Sequence, residues 1–71
     1  MNKLTPREVE IMELVKQGLT NGQIATQFGL SEQTVKNHLS SIFKKLNVPN
    51  RITALIVYGI QILNKGGIDN G

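Results

Sequence analysis

Five side chains between positions 33 and 44 share a polar type and a helical rhythm: Gln33, Lys36, Asn37, Ser40 and Lys44 follow one another at three, one, three and four residues. On a helix that spacing puts them on one face. Their common chemistry is hydrogen bonding to a patterned polar surface. A lysine ammonium donates to guanine O6 and N7, an Asn or Gln amide pairs bidentately with adenine, and a serine hydroxyl bonds to several bases or to phosphate. In an arbitrary helix such a stripe is more often a face turned to water, so its surroundings must decide. From Gln33 to Ile68 the basic residues Lys36, Lys44, Lys45, Arg51 and Lys65 occur with no acid among them, whereas Glu8, Glu10 and Glu13 gather near the N-terminus. Positive charge collected around one polar stripe is the footprint expected of phosphate binding.

Competing chemistries lack their parts. The chain has 71 residues, no cysteine and a single histidine, His38, which excludes a disulfide framework, a thiolate zinc site and a histidine cluster. No metal and no cofactor is expected. A chain of this length buries only about 60% of its unfolded surface, too little for an ordinary enclosed cleft, and no nucleophile with its base, paired carboxylates or phosphate loop can be assembled. An enzyme, or a small-molecule site in this segment, is the least favoured reading. The net charge of +3 is a mild bias toward polyanions. Met1-Asn2-Lys3-Leu4 does not open an apolar leader. The weakly polar run from Ile52 to Leu63 is shorter than the roughly 20 residues of a membrane span, so the expectation is a cytosolic protein with no membrane partner.

The elements that would hold the stripe are punctuated as helices four times. Thr5, Pro6 and Glu8 combine an N-cap, a first-turn proline and a capping-box acid, predicting a helix to about Gln17, ended by Gly18. Its stripe Ile11, Met12, Leu14 and Val15 faces the core, while Glu8, Glu10 and Glu13 face water or ionic partners. Thr20 with Gln23 repeats the capping signal and opens a short helix through Gln27 or Phe28, stopped by Gly29. Ser31 caps a third helix over about 32–46, in which Val35, Leu39, Ile42 and Leu46 form a core stripe opposite the polar one. Asn47-Val48-Pro49-Asn50 ends it, and Asn50 caps a fourth helix from Arg51 to about Asn64 or Lys65. No segment alternates long enough to be a strand. The fold class is all-α, four helices, with residues 1–65 as one domain and 66–71 as a flexible tail.

Only Gly29-Leu30-Ser31 separates the second and third helices, a spacing that suits a helix-turn-helix whose second helix enters the major groove. Ala25 is small where the helices approach, Gly29 suits a left-handed turn, and Val35 packs back, with Ile24, Phe28 and Leu30 around them. With Leu4-Thr5-Pro6-Arg7-Glu8, Glu10-Ile11, Gly18, Thr20-Asn21, Ile24-Ala25, Ser31, Thr34-Val35-Lys36-Asn37-His38, Ile42, Lys45-Leu46, Val48, Arg51 and Ala54, the chain resembles the LuxR-type (GerE-like) helix-turn-helix domain. The matching residues span about 4–60. Such domains are the output domains of response regulators in two-component systems, normally preceded by a receiver domain with a phosphorylatable Asp.

The resemblance implies sequence-specific binding of double-stranded DNA by a bacterial transcriptional regulator. Lys36 and Asn37 would face base edges with Gln33 and Ser40 beside them. Thr20, Asn21, Ser31, Thr34, His38, Lys44 and Lys45 would lie near the sugar-phosphate backbone, although capping alone also accounts for Thr20 and Ser31. RNA polymerase is a further partner expected of a regulator at a promoter. Three positions depart from the family's habit: Gly22 replaces a longer polar residue, Ile52 a Thr, and Ile62 a helix-ending Gly.

Between Ile52 and Leu63 the fourth helix has more apolar residues than one face can hold. The surplus is an association surface, and by the resemblance a homodimer would form through this helix, with Leu55, Tyr58, Gly59 and Ile62 at the interface and two reading helices on two half-sites. Two other readings stay open. One is a helical protein-interaction module that uses the fourth helix without DNA; the other is a helix-turn-helix of another kind, such as a sigma-factor or recombinase segment.

Overall fold

The computed structural model describes residues 3–70, with side chains for 3–63. It contains four helices in chain order: α1 (Pro6–Lys16), α2 (Asn21–Phe28), α3 (Glu32–Leu46) and α4 (Arg51–Asn70), with no strand among the described residues.

Each helix starts where a side chain can satisfy backbone N–H groups that have no intrahelical acceptor. Thr5 Oγ1 accepts from Glu8 N at 3.2 Å while Glu8 Oε1 accepts from Thr5 N at 2.8 Å. Thr20 and Gln23 repeat the same reciprocal pair ahead of α2. Ser31 accepts from Thr34 N at 3.0 Å, and Asn50 Oδ1 accepts from Thr53 N at 2.9 Å.

The first three helices end alike. A residue with positive φ, Gly18 at +90°, Gly29 at +68° or Asn47 at +58°, turns the chain out of the helix. The next residue, Leu19, Leu30 or Val48, then donates its N–H to the carbonyl five positions back, on Leu14, Ala25 or Phe43. That closure lays an apolar side chain back onto the core, and all three are half-buried against it. Asn47, not Pro49 alone, therefore supplies the stop after α3, since an asparagine tolerates the left-handed region.

The core joins all four helices: Ile11, Met12, Leu14 and Val15 from α1, Ile24 and Ala25 from α2, Val35, Leu39, Ile42 and Leu46 from α3, and Ala54 and Tyr58 from α4. Both predicted core stripes are buried, and Ala25 sits within this packing as its size requires.

Two boundaries differ from expectation. The α1 helix closes at Lys16 with Gln17 as its cap. The backbone of α4 runs to Asn70 instead of stopping at Asn64 or Lys65, because Gly66 and Gly67 lower helix propensity without forbidding helical geometry and no proline follows. Of the expected flexible tail, Gly71 and the side chains of 66–70 lie outside the described residues.

Candidate nucleic-acid interface

Packing decides which face of α3 is turned outward. With Val35, Leu39, Ile42 and Leu46 buried, the residues half a turn away are left to water: Gln33, Lys36, Asn37, Ser40 and Lys44 are all exposed. The predicted reading stripe is thus one continuous surface. Among the described residues neither Lys36 nor Lys44 has an ion-pair partner, so both charges face solvent uncompensated. At the edges of this face Thr34 and His38 are half-buried. Gln33 Nε2 donates to Asn37 Oδ1 at 3.0 Å, linking two members of the stripe.

Two predicted contributors to the positive face are committed elsewhere. Lys45 was expected beside phosphate, but its Nζ lies 2.8 Å from Glu8 Oε1, with only 28% of the side chain exposed. Glu8, 4% exposed, takes the ionic of the two alternatives expected for it and is a buried acid of α1. Its burial favours the neutral form, but the hydrogen bonds from Lys45 and from Thr5 N–H and the Lys45 charge outweigh that, holding its pKa below the ordinary 4.5. Arg51 is likewise spent inside the protein. Its guanidinium donates from Nη1 to Asn21 Oδ1 at 2.6 Å and from Nη2 to the Leu19 carbonyl at 2.7 Å. This clamps the start of α4 to the turn between α1 and α2, and it sets the side chain of Asn21.

The remaining predicted backbone contacts cluster at two helix N-termini. Thr20 is exposed and Asn21 half-buried at the head of α2; Ser31 is exposed at the head of α3, with its Oγ 2.8 Å from Thr34 Oγ1. Helix N-termini offer unpaired N–H groups and a positive dipole end, which favour anions. Glu32 opens α3 and lies beside Gly22, where a Cβ would come within 3.0 Å of Glu32 Oε2. The departure at Gly22 therefore leaves room for that carboxylate at the top of the α2–α3 turn.

Sequence reasoning missed four long-range contacts, one of them the hydrogen bond from Tyr58 to Glu13, 45 residues away. The Glu8 to Lys45 pair spans 37 residues and the Arg51 clamp 30, so neither leaves a local signal. Arg7 stacks on Phe28 with its guanidinium 4.4 Å from the ring centroid, holding α1 against α2. Gln33 and Asn37, whose amides are bonded, stand at i,i+4 within the predicted stripe.

On α4 the expected association residues separate. Tyr58 is 3% exposed and its hydroxyl donates to Glu13 Oε2 at 2.5 Å. It is core and is unavailable to a partner, so its assignment to an interface is corrected. Burial and the adjacent Glu13 carboxylate push its phenol well above the ordinary tyrosine range, while that bond from Tyr58 leads in holding the Glu13 pKa down. Leu55 and Gly59 are half-buried and Ile62 is 38% exposed. The outermost stripe is instead Ile52, Ile56, Ile60 and Leu63, between 52% and 75% exposed.

Among the described residues there is no group of three or more His, Cys, Asp or Glu side chains fit to hold a metal. No described helix is long and apolar enough to cross a membrane. The depression beside α2, lined by Leu19, Thr20, Gly22, Gln23, Thr26, Gln27 and Glu32, holds one acid without a base.

Comparison with known proteins agrees with this geometry. Residues 2–58 match the family described as bacterial regulatory proteins, luxR family. The nitrate/nitrite response regulator protein NarP of Escherichia coli (strain K12) is 46% identical over 55 residues, covering 78% of this chain and 26% of the relative. The transcriptional regulatory protein DesR of Bacillus subtilis (strain 168) is 44% identical over 54 residues, 76% of this chain and 27% of its own. The chain thus spans about a quarter of the length of such relatives. Among solved structures, the response regulator ChrA of a heme-sensing two-component system superposes with a TM-score of 0.83 and 43% identity over 89% of this chain and 31% of that one. With its capped turn, its small Ala25 and its outward polar α3, this chain belongs to the luxR family of bacterial regulatory proteins.

Proposed function

We propose that the chain binds double-stranded DNA in a sequence-specific way as part of a bacterial transcriptional regulator, with α3 in the major groove. The observation that carries this is the exposed face of α3, where Lys36 and Lys44 stand without ionic partners among the described residues, around the hydrogen-bonding side chains Gln33, Asn37 and Ser40. Lys36 and Asn37 read base edges, with Gln33 and Ser40 beside them. Thr20, Asn21, Ser31, Thr34, His38 and Lys44 engage the sugar-phosphate backbone. Lys45, tied to Glu8, serves the fold first. Removal of residues 66–71 leaves affinity unchanged.

The chain acts as a homodimer on two half-sites, joined through α4. The exposed stripe Ile52, Ile56, Ile60 and Leu63 supports this reading, because it is too continuous to be a scatter of surface apolar residues. Gly59 lies within it, and a Cβ there would meet nothing within 4 Å, leaving room for a second helix to approach.

Selecting sites from a random duplex pool and titrating variants on the selected site tests the reading face. Lys36→Ala and Asn37→Ala are each expected to weaken binding by roughly 1–3 kcal/mol and to relax preference at one position. Unchanged affinity and preference in Lys36→Ala would remove α3 from the groove. For the dimer, sedimentation equilibrium should find self-association, free or on a two-half-site duplex; a strict monomer in both states sinks it.

A further inference from the structure

Arg51 opens α4, yet its side chain reaches back to the head of α2. Nη1 donates to Asn21 Oδ1 at 2.6 Å and Nη2 to the Leu19 carbonyl at 2.7 Å. The planar fork, half-buried and engaged through both prongs, fixes where the Asn21 amide sits. It also fixes which way the amide faces. A guanidinium has donors and no acceptor, so only Oδ1 of Asn21 can meet it, and Nδ2 is turned away from it. Among the described residues Nδ2 has no hydrogen-bond partner, and no buried side-chain polar atom is left without one, so Nδ2 is open to solvent.

Asn21 is the first residue of α2, the helix that crosses the sugar-phosphate backbone in a helix-turn-helix. A phosphate oxygen only accepts. An asparagine held acceptor-outward would offer it nothing, whereas Nδ2 outward offers both its hydrogens. Accepting from a cation polarises the amide and strengthens its N–H groups as donors. No described carboxylate lies within ion-pair distance of Arg51. Glu32, the acid that lines the same depression, lies against Gly22 instead, so the charge of the guanidinium is not cancelled.

We infer that Arg51 is a positioning residue for DNA binding: it holds the Asn21 amide donor-outward against a backbone phosphate and brings positive charge to that contact without touching the duplex. This rests on the reading of α2 and α3 as a helix-turn-helix on duplex DNA. It adds that α4, outside the motif, sets one of the motif's phosphate contacts.

The experiment titrates the wild-type chain, Asn21→Ala, Arg51→Lys, the double variant and Asn21→Asp on a duplex selected by the wild type, each well below its own melting temperature. Asn21→Ala should weaken binding about tenfold, the scale of a hydrogen bond to a charged group. Arg51→Lys keeps the charge but has no fork to hold carbonyl and amide together, and should weaken binding about fivefold. In the Asn21→Ala background the same change should cost less than about twofold, because the group it positions is gone. An equal loss in both backgrounds is what a structural role alone would give, and it overturns the inference. Asn21→Asp reads the orientation separately. The guanidinium still takes one oxygen, so the melting temperature should hold, while the other oxygen faces phosphate and affinity should fall about threefold or more below that of Asn21→Ala. Affinity at or above that of Asn21→Ala in this variant also overturns the inference. Unchanged affinity in Asn21→Ala overturns the phosphate contact itself, and absence of duplex binding by the wild type at low salt overturns the reading of α3 instead.

Discussion

Lys44 and Lys45 are neighbours in the chain and opposites in the molecule. Lys44 stands exposed on the outward face of α3, and Lys45, one residue on, is half-buried and spends its charge on Glu8. The hundred degrees between consecutive helical residues makes the difference. A net charge counts the two alike, whereas the field a partner meets includes one of them in full and the other nearly cancelled. The same contrast separates the outward faces of α3 and α4. One is polar with exposed cations, the other carries the exposed apolar side chains Ile52, Ile56, Ile60 and Leu63, and the two faces suit different partners.

The hardest blow to this arrangement should fall on the inner side of α3. Ile42→Ala empties a fully buried position and should cost about 2–5 kcal/mol in denaturant unfolding; a cost below 1 kcal/mol would mean the α3 stripe does not anchor the helix. Next comes Lys45→Ala, which strands the Glu8 carboxylate and should cost about 1–3 kcal/mol. Because the folded Glu8 pKa lies below 4.5, its contribution is present above the unfolded value and is lost as pH falls through the folded one. The gap between wild type and Lys45→Ala should therefore narrow below about pH 4, and a gap independent of pH would exclude the ion pair as its cause. On α4, Ile56→Glu should abolish self-association while changing monomer stability by about 0.5 kcal/mol or less, and an unaltered association constant would remove this stripe from the interface. The smallest effect belongs to Lys44→Ala. It should leave stability within about 0.5 kcal/mol and reduce the salt dependence of DNA binding by about one unit of slope.

Much of this was legible in the residues themselves, for a physical reason. Helix starts and stops are written within four or five positions, so Thr5 with Glu8, Thr20 with Gln23, Gly18 and Gly29 could be read locally, and the periodicity of α3 assigned its two faces. What escaped depends on distance along the chain. The partner of Glu8 is 37 residues away and that of Arg51 is 30, so the ionic partner of a carboxylate expected to face water or ionic partners could not be named, and two cations expected at a phosphate surface hold helices together. Tyr58 was misplaced for a related cause. In a helix apolar nearly all round, sequence cannot say which side meets the core, and the acid that fixes this tyrosine, Glu13, lies on α1.

Duplex DNA affinity over a salt series bears most directly on the central claim, that the outward face of α3 meets a polyanion. If Lys44 neutralises phosphate on that face while Lys36 reads base edges beside it, log affinity should fall linearly with log salt concentration. A flat dependence, or no binding at low salt, would contradict a polyanion on this face and leave the apolar face of α4 as the partner surface.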